Sequence, residues 1–222
     1  LENHEKLEAQ KALQVHQHLN LVMQKTFEGQ ALDIGWVEKE VFPNREQYQQ
    51  MIVRKTGWYS GRGPCQCGAL IAGKEGELFE SLGDFGESLG IGFQIRDDIL
   101  NLTESSESNA PEAQVGGYGK EQGGDFAEGK RTLITIEMLE RLNPEEQNRL
   151  QSILLKSRTE VTEEEIVWAI EQSERCGAID AARLEAQNHA QRASSELSKM
   201  PQGSPRKILE ELLGFRAEDR KV

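Results

Sequence analysis

Cysteine, basic charge and long apolar runs are all scarce in this chain of 222 residues. Its three cysteines, Cys65, Cys67 and Cys176, cannot close a disulfide framework, which favours a reducing, cytoplasmic compartment. No apolar run approaches the roughly 20 residues of a membrane-spanning helix, and no signal peptide is visible. Lys and Arg number 26 against 38 Asp and Glu, giving a net charge of −12. That balance argues against nucleic-acid wrapping and against a polybasic membrane surface.

Strand patterns are scarce too, whereas apolar residues recur at helical spacing almost throughout the chain. The spacing predicts a helix from about residue 3 to a stop at Gly29. Another helix is predicted to begin after the N-cap Asn44, with Gln47 three residues on, and to end at Gly61-Arg62-Gly63-Pro64. No repeat or domain boundary is evident. We therefore predict an all-α fold with a single domain over residues 1–222.

A further helix is predicted from about Glu77 to Leu102, and it carries Gly83, Gly86 and Gly90 at positions i, i+3 and i+7. Each glycine costs about 1 kcal/mol inside a helix, so the stripe needs a compensating interaction. Close approach of another backbone or of a ligand tail would provide it, and the alternative is plain helix–helix contact.

The segment 103–124 is polar and rich in glycine, and it is predicted to be a mobile loop. Three more helices are predicted to begin after it. Asn143 and Thr162 each stand three residues before a glutamate, as in a capping box, and Ser204 precedes a proline.

Four polar residues of the Glu77–Leu102 helix share one face, namely Gln94, Asp97, Asp98 and Asn101. Their carboxylate and amide oxygens are the hard ligands that Mg²⁺ prefers. The alternative is a solvated polar face. The apolar neighbours of these residues weaken that alternative, because they imply that much of the helix is buried.

Three lysines complement this candidate metal-binding face. Lys130 stands just before a predicted helix, where a basic side chain and free N–H groups can meet the same anion. Lys120 follows a glycine, and Lys55 begins the segment Lys55-Thr56-Gly57. Each lysine alone is more typical of an exposed surface. Together with a carboxylate pair, they suggest a polyphosphate that is bridged by a metal ion, because the metal inverts the local sign of charge.

These segments, taken in order, resemble the trans-isoprenyl diphosphate synthases, the polyprenyl synthetase family. The resemblance rests on Gly29-Gln30-Ala31-Leu32-Asp33, Lys55-Thr56-Gly57, Gly68-Ala69 with Ala72-Gly73, Phe93-Gln94-Ile95-Arg96-Asp97-Asp98-Ile99-Leu100-Asn101, and Tyr118-Gly119-Lys120 with Gly124-Asp125 and Glu128-Gly129-Lys130-Arg131-Thr132. It implies a bundle of antiparallel helices around a deep apolar cavity, usually homodimeric. The glycine stripe would then line the dimer contact or the cavity wall.

The resemblance also implies a role for each candidate residue. Asp97 and Asp98 would belong to the second aspartate-rich motif, which holds Mg²⁺ on an allylic diphosphate, with Asn101 as a further ligand. The implied diphosphate-binding residues are Lys55, Thr56, Gln94, Lys120 and Lys130, and all of these except Lys120 are the catalytic candidates. Asp33 and Asp125 would bind water molecules that the metal holds.

The reaction implied by the resemblance is condensation of the allylic diphosphate with isopentenyl diphosphate. Mg²⁺ and the lysines would stabilise pyrophosphate as it leaves. The double bond of isopentenyl diphosphate would attack the allylic cation, and pyrophosphate would accept the proton.

Two departures from the family pattern stand out. Asn101 occupies the place where the motif most often has a third aspartate, and no second Asp-Asp pair occurs in the 222 residues. The first aspartate-rich motif is therefore absent. With Leu1 at the start, we expect a C-terminal portion without the N-terminal helices, which does not turn over alone. The alternatives are a non-catalytic subunit of a heteromeric prenyl synthase and, third, a terpene cyclase. Retention of the Asp97–Asp98 pair argues against the subunit, and no cyclase metal motif is found.

Overall fold

The structure is a computed structural model that describes residues 7–103 and 122–217, with side chains described as far as residue 214. It confirms the all-α fold, and no strand occurs within these described ranges. The helices are α1 Ala9–Glu38, α2 Arg45–Ile52, a π-helix Val53–Arg62, α3 Gly63–Ile71, α4 Glu77–Thr103, α5 Gly124–Ala127, α6 Leu133–Arg141, α7 Pro144–Leu154, α8 Glu163–Arg175, α9 Ala178–Ser198 and α10 Ser204–Ala217.

The predicted helix starts at Asn44, Asn143 and Thr162 are confirmed as capping boxes. The backbone N–H of Gln47 donates to Asn44 Oδ1 over 2.9 Å, and the side chain of Gln47 accepts from the Asn44 N–H. Asn143 and Thr162 cap α7 and α8 in the same reciprocal way. These short-range bonds need no tertiary partner, which explains why the sequence indicates them reliably.

The two predicted helix ends in the first part of the chain are wrong. α1 continues through Gly29 to Glu38, and the backbone from Arg45 to Ile71 stays helical through the segment Gly61–Pro64. In both places glycine allows another helix to approach closely instead of ending its own helix. Pro64 lies in the first turn of α3, where the chain passes from the π-helix into the α-helix.

The chain divides into two compact units, each made of non-contiguous segments. The first unit comprises the residues up to Leu32, residues 49–94 and the residues from Glu185 onwards. The second comprises Asp33–Tyr48 and Ile95–Leu184. Interleaving of this kind leaves no compositional boundary in the sequence. The single domain over residues 1–222 stays a prediction.

In the first unit, α4 packs against α9 and α10 through an apolar core. Phe85 is fully buried there with Leu197 and Met200, and Cys65 of α3 joins them. The glycine stripe of α4 faces the π-helix and α3 of the same chain. A Cβ atom on Gly86 would overlap the backbone of Gly61, and one on Gly83 would lie 2.5 Å from Gln66 Nε2. Helix–helix contact is therefore the interpretation that fits this stripe.

In the second unit, α5 and α6 each contact α7 and α8. The core is formed by apolar residues of α6 and α7, among them Leu133, Met138, Leu150 and Ile153. Glu137 is also buried there, and it pairs with Arg45 and Arg141. None of the helices in the described ranges is both long and apolar enough to span a bilayer.

Candidate functional site

The polar face predicted on α4 is present and is largely withdrawn from solvent. Asp98 and Asn101 are only 9% and 7% exposed, whereas Gln94 and Asp97 are half-buried. Ile95 and Ile99 are buried on the same helix. A fully solvated face is therefore excluded. The carboxylate and amide oxygens of Asp97, Asp98 and Asn101 make this partly buried face a candidate metal site.

Asn101 joins that face to α5. Its side-chain Oδ1 accepts a hydrogen bond of 3.1 Å from the backbone N–H of Asp125, and its own carbonyl accepts one of 2.8 Å from Gly123. The Gln122 side chain donates to the carbonyl of Leu102 over 2.6 Å. The end of α4 and the beginning of α5 are thus bonded together, and the backbone position of Asp125 is fixed by Asn101.

Asp125 in turn holds Lys130. Lys130 Nζ lies 2.6 Å from Asp125 Oδ1 and 3.0 Å from Glu128 Oε2, and the Lys130 N–H donates to the Asp125 carbonyl. Burial alone would lower the pKa of Lys130. The hydrogen bonds and charges of Asp125 and Glu128 outweigh that effect, so the pKa stands above its ordinary value. Lys130 therefore stays charged at neutral pH in a fixed place.

Arg131 fixes the backbone around Lys130. It is 1% exposed, and its guanidinium donates to the carbonyls of Val41, Gly129 and Leu154. The same guanidinium lies 4.2 Å from the centre of the Phe42 ring. In the sequence Arg131 stands out only as a neighbour of Lys130, because nothing in the local pattern indicates that this arginine is buried.

Lys55, Thr56 and Gln94 belong to the first unit. Lys55 and Thr56 lie on the π-helix, a conformation that is rare and often found at functional sites. Thr56 is buried, and its carbonyl accepts a 2.6 Å hydrogen bond from Ser60 Oγ. Gln94 lies on α4.

In the second unit the structure links Asn101 to Asp125 and Asp125 to Lys130, and Asp97 and Asp98 lie on the same helix α4 as Asn101. Asp33 lies half-buried on α1, in the segment that begins this unit. Lys120 lies outside the described residues, as does most of the predicted mobile loop 103–124.

The donors on α4 fit part of a Mg²⁺ site. Within the described ranges no group of three or more His, Cys, Asp or Glu side chains is arranged to hold a metal. Mg²⁺ is commonly held by only one or two carboxylates, with substrate phosphates and water completing its shell. Asp97 and Asp98 match that pattern. Asn101 is the weaker candidate ligand, because its side-chain oxygen already accepts the Asp125 N–H.

Comparison with known proteins identifies the class to which this fold and these residues belong. The polyprenyl synthetase family model matches residues 1–172. The fold is that of the isoprenyl synthases: a geranylgeranyl pyrophosphate synthetase from Pyrococcus horikoshii superposes with a TM-score of 0.80 at 28% identity, covering 96% of this chain and 61% of that one. A geranylgeranyl pyrophosphate synthase from Corynebacterium glutamicum, complexed with isoprenyl diphosphate and magnesium, gives 0.82 at 25% identity over 96% and 57%. The chain belongs to the polyprenyl synthetase family.

Curated relatives agree with this assignment. A short chain isoprenyl diphosphate synthase from Methanothermobacter thermautotrophicus is 34% identical over 86% of this chain and 54% of its own length. Component 2 of the heptaprenyl diphosphate synthase of Bacillus subtilis is 31% identical over 75% and 43%. The chain thus spans about half the length of the curated relatives that it matches.

Proposed function

We propose that this chain binds an allylic diphosphate through Mg²⁺ and lysine side chains, and that it serves prenyl transfer to isopentenyl diphosphate. Family membership supports the substrate class, since the relatives are named as isoprenyl and geranylgeranyl diphosphate synthases. The names of two solved neighbours include isoprenyl diphosphate together with magnesium or calcium. Other parts of the prediction, including the homodimer and the cytoplasmic location, stay predictions.

The observation that carries the proposal is the chain of bonds from the α4 face to Lys130. Asn101 accepts the Asp125 N–H, and Asp125 pairs with Lys130 at 2.6 Å. An ammonium group has three N–H donors, and the contacts with Asp125 and Glu128 use two of them. The third can meet a phosphate oxygen. A fixed cation and a carboxylate pair on linked elements are what a metal-bridged diphosphate requires.

Asp97 and Asp98 would hold Mg²⁺, which when bound supplies positive charge against the diphosphate oxygens. Lys130 would donate to the diphosphate, and the family resemblance assigns Lys55, Lys120, Thr56 and Gln94 to the same group. Asp125 and Asp33 would bind water held by the metal.

In the proposed reaction the allylic C–O bond breaks and pyrophosphate leaves with the electron pair. The lysines stabilise the negative charge that develops on the leaving group, an effect that is strongest where water is excluded. The double bond of isopentenyl diphosphate forms the new C–C bond, and the proton lost afterwards passes to pyrophosphate. No side chain of this protein needs to act as the base.

Calorimetric titration with inorganic pyrophosphate, with and without Mg²⁺, tests the binding proposal on the 222-residue chain. We expect affinity that depends on Mg²⁺ and falls at least about tenfold, or about 1.4 kcal/mol, in Asp97→Asn and in Lys130→Met. Asp180→Asn is the matched control, because Asp180 is an exposed carboxylate in an ion pair on α9. Equal affinity in all four proteins, or no affinity in the unaltered chain, would contradict the proposal.

A second candidate function is that of one subunit in a heteromeric prenyl synthase. Two observations favour it: one relative is named as component 2 of a heptaprenyl diphosphate synthase, and the sequence has no second Asp-Asp pair. An elongation assay with Mg²⁺, an allylic diphosphate and isopentenyl diphosphate separates the candidates. Product from this chain alone would support the complete transferase. Pyrophosphate binding without product would exclude the complete transferase and is the outcome expected both of a subunit and of a C-terminal portion.

A further inference from the structure

Helix α1 passes directly over the backbone of Lys55, and Gly29 is the residue that makes this possible. A Cβ atom on Gly29 would lie 2.7 Å from Lys55 Cα and 2.9 Å from the carbonyl carbon of Arg54, and closer still to the Lys55 nitrogen. All three atoms are backbone atoms, so no side-chain rotation could relieve the overlap. Gly29 is buried within α1, where a glycine costs about 1 kcal/mol relative to alanine.

Helix α4 contacts the same short segment through Gly90. A Cβ atom on Gly90 would lie 2.5 Å from Ser60 Oγ, the hydroxyl that donates to the Thr56 carbonyl. Gly90 also lies one helical turn before Gln94 on α4. Two helices therefore contact the Lys55–Thr56 segment, and each does so through a residue without a side chain.

We propose that Gly29 and Gly90 are positioning residues for diphosphate binding, because they fix the backbone that carries Lys55 and Thr56. Neither glycine touches the substrate. This inference rests on the proposed function, since it assumes that Lys55 binds the diphosphate. It assigns to Gly29 a role in the site, whereas the sequence pattern had indicated a helix stop.

A double-mutant cycle tests the role of Gly29. Gly29→Ala, Lys55→Met and the double variant are titrated with inorganic pyrophosphate and Mg²⁺, and cooperative thermal melting shows whether each is folded. We expect Gly29→Ala to weaken binding at least tenfold in the unaltered background and by a clearly smaller factor when Lys55 is already methionine, because most of the loss acts through Lys55 and the rest through Thr56. Gly35→Ala on α1 is the control, since a Cβ there meets nothing within 4 Å; it should bind as the unaltered chain does.

Gly90 supplies a second test that stays informative if Gly29→Ala fails to fold. Gly90→Ala should weaken pyrophosphate binding, and adding Ser60→Ala should restore it by removing the hydroxyl that the new methyl group meets. A loss without rescue would overturn the role of Gly90. Equal losses for Gly29→Ala with and without Lys55, or no loss at all, would overturn the role of Gly29. If the unaltered chain binds no pyrophosphate, the proposed function fails, and this inference fails with it.

Discussion

The two lysine-bearing segments of this protein are held in place by different sets of contacts. The Lys55 segment, in the first unit, is closely approached at Gly29, Gly61 and Gly90, where side chains are missing. It also carries ion pairs, since Arg54 pairs with Glu28 of α1 and Arg62 with three acidic side chains of α4. The Lys130 segment, in the second unit, is fixed by side chains, with ion pairs to Asp125 and Glu128 and a buried arginine beside it. Close helix contacts at three glycines are thus the distinctive feature of the first segment, and a buried arginine is that of the second.

The difference shows how each segment can be disturbed. A close contact at glycine is sensitive to an added methyl group, and the contact itself does not depend on salt or protonation. A polar bond depends instead on its donor and its acceptor. Substitutions at glycines and at polar side chains therefore separate the two cases.

The largest effect is expected from Gly61→Ala in the Lys55 segment. Its new Cβ would overlap the carbonyl of Gly86 and would lie 3.0 Å from the Glu87 nitrogen. Backbone must move in response, which should lower the free energy of unfolding by about 3 kcal/mol or more. Denaturant melts measure this loss. Gly68→Ala in α3 is the control, because its Cβ has open space and alanine favours the helix; equal stability of the two variants would contradict the contact.

Arg131→Met tests the hydrogen bonds that hold the Lys130 segment. It removes the donor to the carbonyls of Val41, Gly129 and Leu154 in a buried place. We expect a loss of about 2–3 kcal/mol in urea melts, because buried carbonyls without partners are costly. Arg183→Met removes an exposed arginine that pairs with Asp180, and it should change stability by less than about 0.5 kcal/mol. An equal loss in the free energy of unfolding for both variants would contradict a stabilising role for the buried hydrogen bonds of Arg131.

Substitutions of Asn101 test the hydrogen bond that its side-chain oxygen accepts from the Asp125 N–H. Asn101→Leu leaves the Asp125 N–H without its bond, so we expect about 1–2 kcal/mol less stability and weaker pyrophosphate binding through Lys130. Asn101→Asp keeps an acceptor at the same place and should lose much less of both. Urea melts and calorimetry on the two variants measure these effects. If the two variants lose equal stability and equal pyrophosphate affinity, the Asn101–Asp125 hydrogen bond is not the cause of the loss.

The smallest effect is expected from pH. Burial, and then the charge of Arg192, lowers the pKa of His189 below its ordinary value of 6.5, while Glu185 partly opposes them. Below pH 6.5 the unfolded chain takes up a proton that folded His189 resists, so stability should fall by less than about 1.4 kcal/mol per pH unit.

The same change of pH should leave the Lys130 pairing in place. The raised pKa of Lys130 contributes stability that is fully present below its ordinary value of 10.5 and is lost only as the pH rises beyond it. Thermal melts between pH 7 and 5 should therefore show a drop that His189→Leu reduces and Lys130→Met does not. A drop unchanged by His189→Leu would count against His189 as its source.

Much of the local structure could be predicted because its causes are local. The capping boxes at Asn44, Asn143 and Thr162 each join residues three apart, and the shared face of α4 follows from helical periodicity. The wrong helix end at Gly29 has a non-local cause. The cost of a glycine inside α1 is compensated by close contact with the backbone of Lys55 on another helix. Lys55 lies too far along the chain for a local sequence pattern to reveal this contact.

The sequence predicts the residue types of the candidate site but not their arrangement. It predicts Asp97 and Asp98 as oxygen ligands of a metal ion and Lys130 as a cation that binds an anion. It does not show that Asn101 bonds to Asp125, which is 24 residues away along the chain, or that Arg131 is buried. Such bonds depend on how the helices pack, and packing is a property of the whole fold.

By itself, then, the sequence determined the all-α class, the capped helix starts, the polar face of α4 and the family to which the chain belongs, since all of these depend on spacing and residue type. Only the tertiary structure decided how each lysine segment is held. A glycine destabilises its own helix, and burial of an arginine removes it from water at a cost in free energy. Each is favourable only when a distant part of the chain supplies a close contact or hydrogen bonds. The contact of Gly29 with Lys55 and the hydrogen bonds of Arg131 to three carbonyls form only when the helices pack together.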